Sequence, residues 1–391
     1  MGLLEQHFGS CSGEVRVFFA PGRVNLIGDH TDYSGGYVLP AALDCGTWVA
    51  IRQREDGRFR FISTNFDDQV ECSAAELAYR TEDGWANYPK GVIWHLRERG
   101  VELSGGDLLF HGNIPNGAGL SSSASITMAT AFSVRSLTGV DLSLMELIRL
   151  SQQVENEYLG VNCGIMDQFA VGMGRSGHGL LLRCKTLDYR YVPLTLGDYR
   201  IVIVNSNKRR ELAASKYNER RAECEAGFRM IQPHLSEADH LGSVSVDQWR
   251  EVSRHISSET IRRRLEHVIY ENERVLRSTE ALESGDPIAF GRYMQESHES
   301  LSRLYEVTGT ELDVLVEEAL RVKGCIGARM TGAGFGGCTV NLVHEAHLDT
   351  FCRQVNKRFR ERTGRTPAFY CWQTGDGVRE IIQGVEACPF W

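Results

Sequence analysis

The sequence predicts a two-domain α+β protein with mixed or antiparallel sheets, and three observations carry that expectation. At 391 residues the chain is long enough for two ordinary domains, each burying its own core. Strand-like runs at 15–20, 47–52 and 107–112 precede two helix-like stretches. A buried-strand pattern at 200–205 then opens a second half of long polar helices closed by a cluster of strands.

The elements follow in order. Residues 15–20 and 47–52 read as strands around a turn-rich segment. Residues 107–112 make another strand, followed by a loop holding Pro115 and Gly117. Small and apolar residues over 121–138 predict a helix stopped by Gly139. The next helix runs from Ser143 to Leu159, because Leu144, Leu147, Ile148, Val154 and Tyr158 follow the i, i+3, i+4, i+7 rule, and Gly160 stops it. In the second half the strand Arg-Ile-Val-Ile-Val-Asn (200–205) leads into helices over 208–230, 260–283 and 287–307. Strands are expected at 326–331, 337–343 and 367–373. There is no repeat and no low-complexity linker, so the boundary falls near 195–205, giving domains 1–200 and 201–391.

Composition narrows the function. Hydrophobic residues at 42% and charged residues at 24% are those of a soluble globular protein. No stretch approaches the ~18 apolar residues of a membrane helix, and Met1-Gly2-Leu3-Leu4-Glu5 begins no secretory signal. The eleven cysteines form no C-x-x-C pair, which points to reduced thiols in the cytoplasm and away from disulfides or a zinc site. The twelve histidines show no metal-ligand spacing. A net charge of −8 argues against nucleic acid as a partner. Lys208-Arg209-Arg210 and Arg262-Arg263-Arg264 are interleaved with acidic residues and read as solvated helix faces.

Three segments concentrate chemistry. In Gly112-Asn113-Ile114-Pro115-Asn116-Gly117-Ala118-Gly119-Leu120-Ser121-Ser122-Ser123-Ala124-Ser125, two glycines permit close approach of backbone and serines run into a helix start. Free N–H groups, hydroxyls and the helix dipole then converge as a phosphate cradle. An over-capped helix would account for one serine but not three. No G-x-x-x-x-G-K-[ST] is present. The segment Ala20–Gly36 gathers Arg23, Asp29, His30 and Asp32 among four glycines. Its carboxylates repel one another unless a cation or a polyhydroxylated ligand engages them, and sugar hydroxyls suit carboxylate acceptors; a glycine-rich turn with solvated charges is the plainer alternative. In the third, Ile148, Ser151, Glu155 and Tyr158 share one helical stripe, which turns Glu155 inward. A buried carboxylate needs a partner, and Mg²⁺ held between phosphate oxygens supplies one. Asp167, after Gly160 and Gly164, is equally readable as a functional carboxylate or a helix cap. Gly332-Ala333-Gly334-Phe335-Gly336-Gly337 matches G-x-G-x-x-G, but a strand pattern follows where a dinucleotide site requires a helix, so it reads as a glycine-rich hairpin.

Together these segments resemble the galactokinases, within the superfamily of homoserine, mevalonate and phosphomevalonate kinases. The signature stretches are Gly22–Tyr33, Gly117–Ser125 and Arg329–Cys338; Trp85–Tyr88, Asn162–Phe169 and Ser215–Arg221 also fit. The resemblance spans nearly the whole chain in the expected order. It implies an N-terminal domain like domain 2 of ribosomal protein S5, a ferredoxin-like C-terminal domain, and an active site in the cleft between them. It implies an ATP-dependent kinase acting on the C1 hydroxyl of D-galactose with Mg²⁺, in a cytoplasmic monomer. Asp167 would accept the hydroxyl proton, with Arg23 steadying it and the transferring phosphoryl group. Asp29, His30, Thr31, Asp32 and Tyr217 would bind the sugar. Gly117, Ala118, Gly119, Leu120, Ser121, Ser122 and Ser123 would wrap the ATP phosphates, with Ser63 and Trp85 lining the nucleotide pocket. Ser123 and Glu155 would bind Mg²⁺.

One departure bears on the substrate. Galactokinases mostly carry glutamate where this chain has Asp29, whose carboxylate stops about 1.3–1.5 Å short of a glutamate's. Ser34 and Pro89 also depart from the pattern, at positions not expected to touch the ring. The alternatives are the same reaction on N-acetylgalactosamine or L-arabinose, and a non-catalytic galactose and ATP sensor. Acidic sugars are disfavoured by the carboxylate-rich loop. The complete Ser121–Ser125 run, with Arg23, Glu155 and Asp167 all present, argues against the sensor.

Overall fold

In the computed structural model, which describes residues 3–9, 14–115, 117–208, 213–382 and 388, most expected strands are present and several are longer. After a short helix α1 (Leu3–Phe8), the run expected at 15–20 extends into β1 (Arg16–Asn25). β2 (Tyr37–Val38) and β3 (Pro40–Gln53) follow, then β4 (Arg58–Ser63), β5 (Val70–Ser73), α2 (Asn87–Glu98) and β6 (Gly106–Gly112). Helix α3 (Ser122–Thr138) ends at Gly139, whose φ of 65° is the left-handed conformation that glycine adopts without strain. Helix α4 (Leu144–Gln153) starts on a capping box formed by Ser143 and Glu146, and passes into a π-helical turn, Val154–Tyr158. α5 (Met166–Met173), β7 (His178–Arg183) and β8 (Asp188–Pro193) complete the first half.

The second half opens with β9 (Tyr199–Asn205), as expected, and continues with α6 (Ala213–Ile231), α7 (Val246–Val252), α8 (Glu259–Glu283) and α9 (Pro287–Ser300). A π turn (Leu301–Tyr305) and α10 (Thr310–Leu320) lead to β10 (Cys325–Thr331), β11 (Cys338–His344), α11 (Leu348–Thr363), β12 (Ala368–Tyr370) and β13 (Arg379–Ile381). Periodicity had not separated α2, α7, α10, α11, β4, β5, β7, β8 or β13.

The strands make a six-stranded sheet, β13-β1-β3-β6-β4-β5, a four-stranded sheet, β10-β11-β9-β12, and a three-stranded sheet, β2-β7-β8. Among the described residues only β4 and β6 pair in parallel. Helices α2 to α5 stack over the first sheet around Phe18, Phe61, Phe110, Met128, Leu147 and Phe169. Helices α9 to α11 pack with the second sheet around Met330, Phe351 and Phe359, while α8 lies against α6, α9 and the three-stranded sheet. A third apolar cluster joins the halves, with Val24, Leu26 and Leu39 against Ile203, Phe290 and Val340. A shared apolar core fixes the two halves more firmly than a polar domain contact would. The final strand crosses back: β13 pairs antiparallel with β1, and Arg16 holds Glu380 through two bonds of 2.7 and 2.6 Å.

One expectation changes. Arg262-Arg263-Arg264 is not wholly a solvated face: Arg264 is buried, and ion-pairs with Glu223 at 3.0 Å and Glu306 at 2.6 Å, because α8 turns that residue toward α6 and the π turn. Arg209 and Arg210, with the start of the 208–230 helix, lie outside the described residues. The segment 332–337 is the turn between antiparallel β10 and β11, as its strand-like sequel predicted.

Candidate active site

The glycine–serine loop meets helix α3 without a capping side chain. Ser121, at the cap position, has φ 61°, a left-handed conformation costing about 1–2 kcal/mol for a residue other than glycine. That twist directs its hydroxyl sideways, where it donates to Asp167 Oδ2 at 2.6 Å. The first N–H groups of α3 therefore keep no side-chain acceptor and face the cleft as an anion site. Ala118 and Leu120 point into the core, and the Ala118 N–H bonds to the carbonyl of Pro115. Gly117, Gly119, Ser121, Ser122 and Ser123 line the cavity instead.

Arg23 leaves β1 just beyond a bulge at Pro21, which turns its side chain toward this loop. Its guanidinium donates to Gly119 O at 2.7 Å and pairs with Asp167 Oδ1 at 2.7 Å. Asp167 is the second residue of α5, and the cap position is Ile165, so the capping alternative falls away. One Asp167 oxygen is thus held by Arg23 and the other by Ser121, while 28% of its side chain stays open to the cavity.

Glu155 sits in the π turn and is buried, as the helical stripe predicted. Ser123 donates to Oε2 at 3.3 Å and Gln168 to Oε1 at 2.8 Å. Desolvation and the neighbouring Asp167 push its carboxyl up to about 7, against the opposing pull of those bonds and of Arg23. A carboxylate and a hydroxyl, both hard oxygens, in a spot that disfavours uncompensated negative charge, fit Mg²⁺. Among the described residues no group of three or more His, Cys, Asp or Glu forms a full cage, so phosphates and water would complete the shell.

The loop between β1 and β2 carries Asp29, His30 and Asp32 to the same cavity, about 410 Å³, and α6 brings Tyr217. Thr31 is not brought there: it is buried, with its hydroxyl turned to the carbonyls of Gly28 (2.9 Å) and Tyr37 (2.7 Å), so it braces the loop. His30 is held neutral, its pKa lowered to about 3 by burial and by His267. Tyr33 donates to its Nδ1 (3.0 Å), and Nε2–H donates to Ala333 O (3.2 Å). Asp32 is pushed up to about 7 by desolvation and the Asp167 charge. Gly164 is glycine for a steric reason, since a Cβ there would lie 1.9 Å from Asp32 Oδ2.

Ser63 and Trp85 line a second cavity of about 140 Å³ that shares Tyr88, Ser122 and Ser123 with the first. Phe66 stacks on Trp85 (6.2 Å between centroids) and Phe110 meets it edge-on (5.6 Å). The Trp85 Nε1–H is buried without a partner. A narrow aromatic slot beside a phosphate cradle suits a nucleobase. Phe66 and Phe110 carried no sequence signal beyond ordinary strand and loop hydrophobes; only the fold puts them beside Trp85.

Comparison with known proteins agrees with this geometry. Residues 3–53 match the galactokinase galactose-binding signature, 87–175 the GHMP kinase N-terminal domain and 278–361 the GHMP kinase C-terminal domain. A curated galactokinase of Halalkalibacterium halodurans is 50% identical, covering 94% of this chain and 93% of its own length. That of Bacillus subtilis is 46% identical over 97% of this chain and 98% of its own. The crystal structure of Lactococcus lactis galactokinase complexed with galactose superimposes with a TM-score of 0.93 at 41% identity, covering 97% of this chain and 98% of that one. Methanococcus jannaschii mevalonate kinase, at 20% identity and TM-score 0.68 over 93% of this chain and 99% of its own, shares the fold. A two-domain kinase architecture, a phosphate cradle opposite a carboxylate-rich loop and this extent of identity lead to one conclusion: the chain belongs to the galactokinase family of GHMP kinases.

Proposed function

We propose that the protein transfers the γ-phosphoryl group of ATP to the C1 hydroxyl of D-galactose, giving galactose 1-phosphate and ADP, the entry step of galactose metabolism. The observation that carries this is the placement of Asp167 and Arg23, 2.7 Å apart, between the glycine–serine loop and the loop of Asp29, His30 and Asp32. A hydroxyl bound on one side is thereby set against a phosphate bound on the other.

Phosphoryl transfer asks the protein chiefly for in-line positioning and charge neutralisation. Asp32 and Tyr217 offer acceptors and donors to the ring hydroxyls, and neutral His30 forms a wall beside them. Asp167, anchored by Ser121 and Arg23, presents its carboxylate to the C1 hydroxyl and takes its proton. Arg23 also balances charge on the transferring group. The N-terminus of α3 and the hydroxyls of Ser122 and Ser123 receive the phosphates, and Ser63 and Trp85 flank the base. Glu155 and Ser123 would hold Mg²⁺, which would neutralise phosphate charge. Residues 1–200 supply most of these groups, and 201–391 add Tyr217 and the 332–333 turn as a second domain. Among the described residues no helix is long and apolar enough to cross a membrane, and the cysteine pattern favours the cytoplasm.

Incubation with Mg·ATP and D-galactose, N-acetylgalactosamine, 2-deoxygalactose, L-arabinose, glucose or galacturonate, following ADP release and locating the phosphate by phosphorus NMR, tests the reading. Galactose turning over fastest to an anomeric phosphate, with an Asp167→Ala control silent, supports it. An inert galactose with another sugar active would reassign the substrate.

A further inference from the structure

The third signature stretch, Arg329–Cys338, enters the chemistry above only through its 332–333 turn, and on α8 the sequence singled out only Arg262–Arg264. Both meet at the sugar loop. Residues 28–36 contain only one turn of 3-10 helix, Asp32–Ser34, so their shape depends on what they lean against. From α8, Glu271 Oε1 accepts the N–H of Gly28 at 3.0 Å, His267 Nε2–H donates to Asp29 O at 3.2 Å, and Asn272 Oδ1 accepts the N–H of Tyr37 at 2.8 Å. From β10, Arg329 Nη2 lies 2.7 Å from Asp29 Oδ2, and the N–H of Gly332 donates to Asp29 Oδ1 at 3.1 Å. Arg329 also donates to Asn25 O, the last residue of β1, at 3.2 Å.

These are one network. Ser297 on α9 donates to Glu271 Oε1 and accepts from Arg329 Nε at 3.2 Å, while Arg274 pairs with Glu271 Oε2 at 2.7 Å. Glu271 and Arg329 are both 0% exposed. Two cations, Arg274 and Arg329, stand against the carboxyl groups of Glu271 and Asp29. Burial pushes Glu271 up, but Arg274, with His267 and Arg329, overrides it and holds the carboxyl at about 2. A buried ionic network is poor at adding net stability compared with well-packed apolar residues. What this one does add is direction, since the bonds that Glu271, His267 and Arg329 send to the loop end on Gly28, Asp29 and the end of β1.

We propose that Glu271 and Arg329 are positioning residues for the sugar, fixing Asp29 and the backbone of the 28–36 loop from behind without touching the ligand. Neither lines the cavity, whereas Asp29 does. The shortened acid at position 29 belongs to the same device: its two oxygens are engaged by Arg329 and Gly332, which ties the sugar loop of the first half to the β10–β11 turn of the second. The inference rests on the galactokinase reading for the identity of the sugar, but not for the loop it concerns.

The test compares Glu271→Ala, Glu271→Gln, Arg329→Met and Arg329→Lys with the parent protein, measuring KM for galactose, KM for ATP, kcat at saturating galactose, and Tm. The expected result for Glu271→Ala and Arg329→Met is a galactose KM raised tenfold or more, with the ATP KM and the saturated kcat each within threefold of the parent. Glu271→Gln, which keeps an acceptor for Gly28, should recover most of the galactose KM. If Glu271→Ala or Arg329→Met does not fold, Arg329→Lys decides by the same ratio of galactose KM to ATP KM. A lowered Tm with that ratio unchanged overturns the proposal, as does a parallel rise in both constants. Should the parent act on a different sugar, the galactose reading fails, and the same ratio measured with that sugar still decides this inference.

Discussion

Asp32 and Glu155 face the cavity with no cation of their own, and each is held near pH 7 by desolvation and by Asp167. In the unfolded chain both would ionise near pH 4. Between about pH 4 and 7 the native state therefore holds more protons than the unfolded one, and these two groups make stability fall as pH rises. Glu155→Gln removes one such charge, so the ligand-free variant should melt above the parent at pH 8 and show no gain at pH 4. Scanning calorimetry at the two values checks this, and the variant should meanwhile bind Mg·ATP more weakly. Asp167 carries a different prediction. Asp167→Asn keeps the shape of the site but not the proton acceptor, and kcat should fall roughly 10²–10⁴-fold with ATP binding retained. Arg23→Ala should cost roughly 3–4 kcal/mol of barrier, the size of one preorganised electrostatic donor. Steady-state kinetics beside nucleotide titration separates the two effects.

At the scale of elements, the turns between helices do as much as the helices. The link from the π turn to α5 brings Gly164 against Asp32, where a Cβ would sit 1.9 Å from the carboxylate. Gly164→Ala must therefore displace Asp32, and galactose KM should rise at least tenfold with ATP KM unchanged; a variant with both constants as in the parent would contradict that close approach. In the nucleotide slot, Trp85 is stacked by Phe66 and edged by Phe110. Trp85→Ala should raise ATP KM by about tenfold, in line with ~1–3 kcal/mol for losing an aromatic platform under a base, while galactose binding measured by calorimetry stays as it was.

Across the whole molecule, the cleft is built by two halves that share an apolar core and a returning strand. β13 covers one edge of β1, the strand that carries Arg23. Ending the chain at Asp376 would bare that edge and break the Arg16–Glu380 pair. The truncated protein should lose several degrees of Tm and lean toward aggregation through the exposed edge, read by light scattering during a melt. A ligand that binds only the folded protein should stabilise it by about 2.7 kcal/mol at a hundred times its Kd.

The sequence by itself determined the chemistry, because chemistry lies in short contiguous stretches. Arg23, Asp29, His30 and Asp32 fall within ten residues, the phosphate cradle within nine, and the stripe that turns Glu155 inward is a helical period. Helix ends at Gly139 and Gly160 and the hairpin at 332–337 were equally local, since glycine conformations and side-chain periodicity act over a few residues. Only the tertiary structure decided which of those residues face the ligand. Thr31 sits inside the sugar motif yet spends its hydroxyl on the loop, and Ser121 inside the cradle serves Asp167. It also decided the partners that are distant in sequence: Arg329 under Asp29, Glu271 under Gly28 and β13 beside β1. Such pairings carry no local signal, because a buried arginine or glutamate is written in the same letters as an exposed one, and burial is a property of the assembled fold.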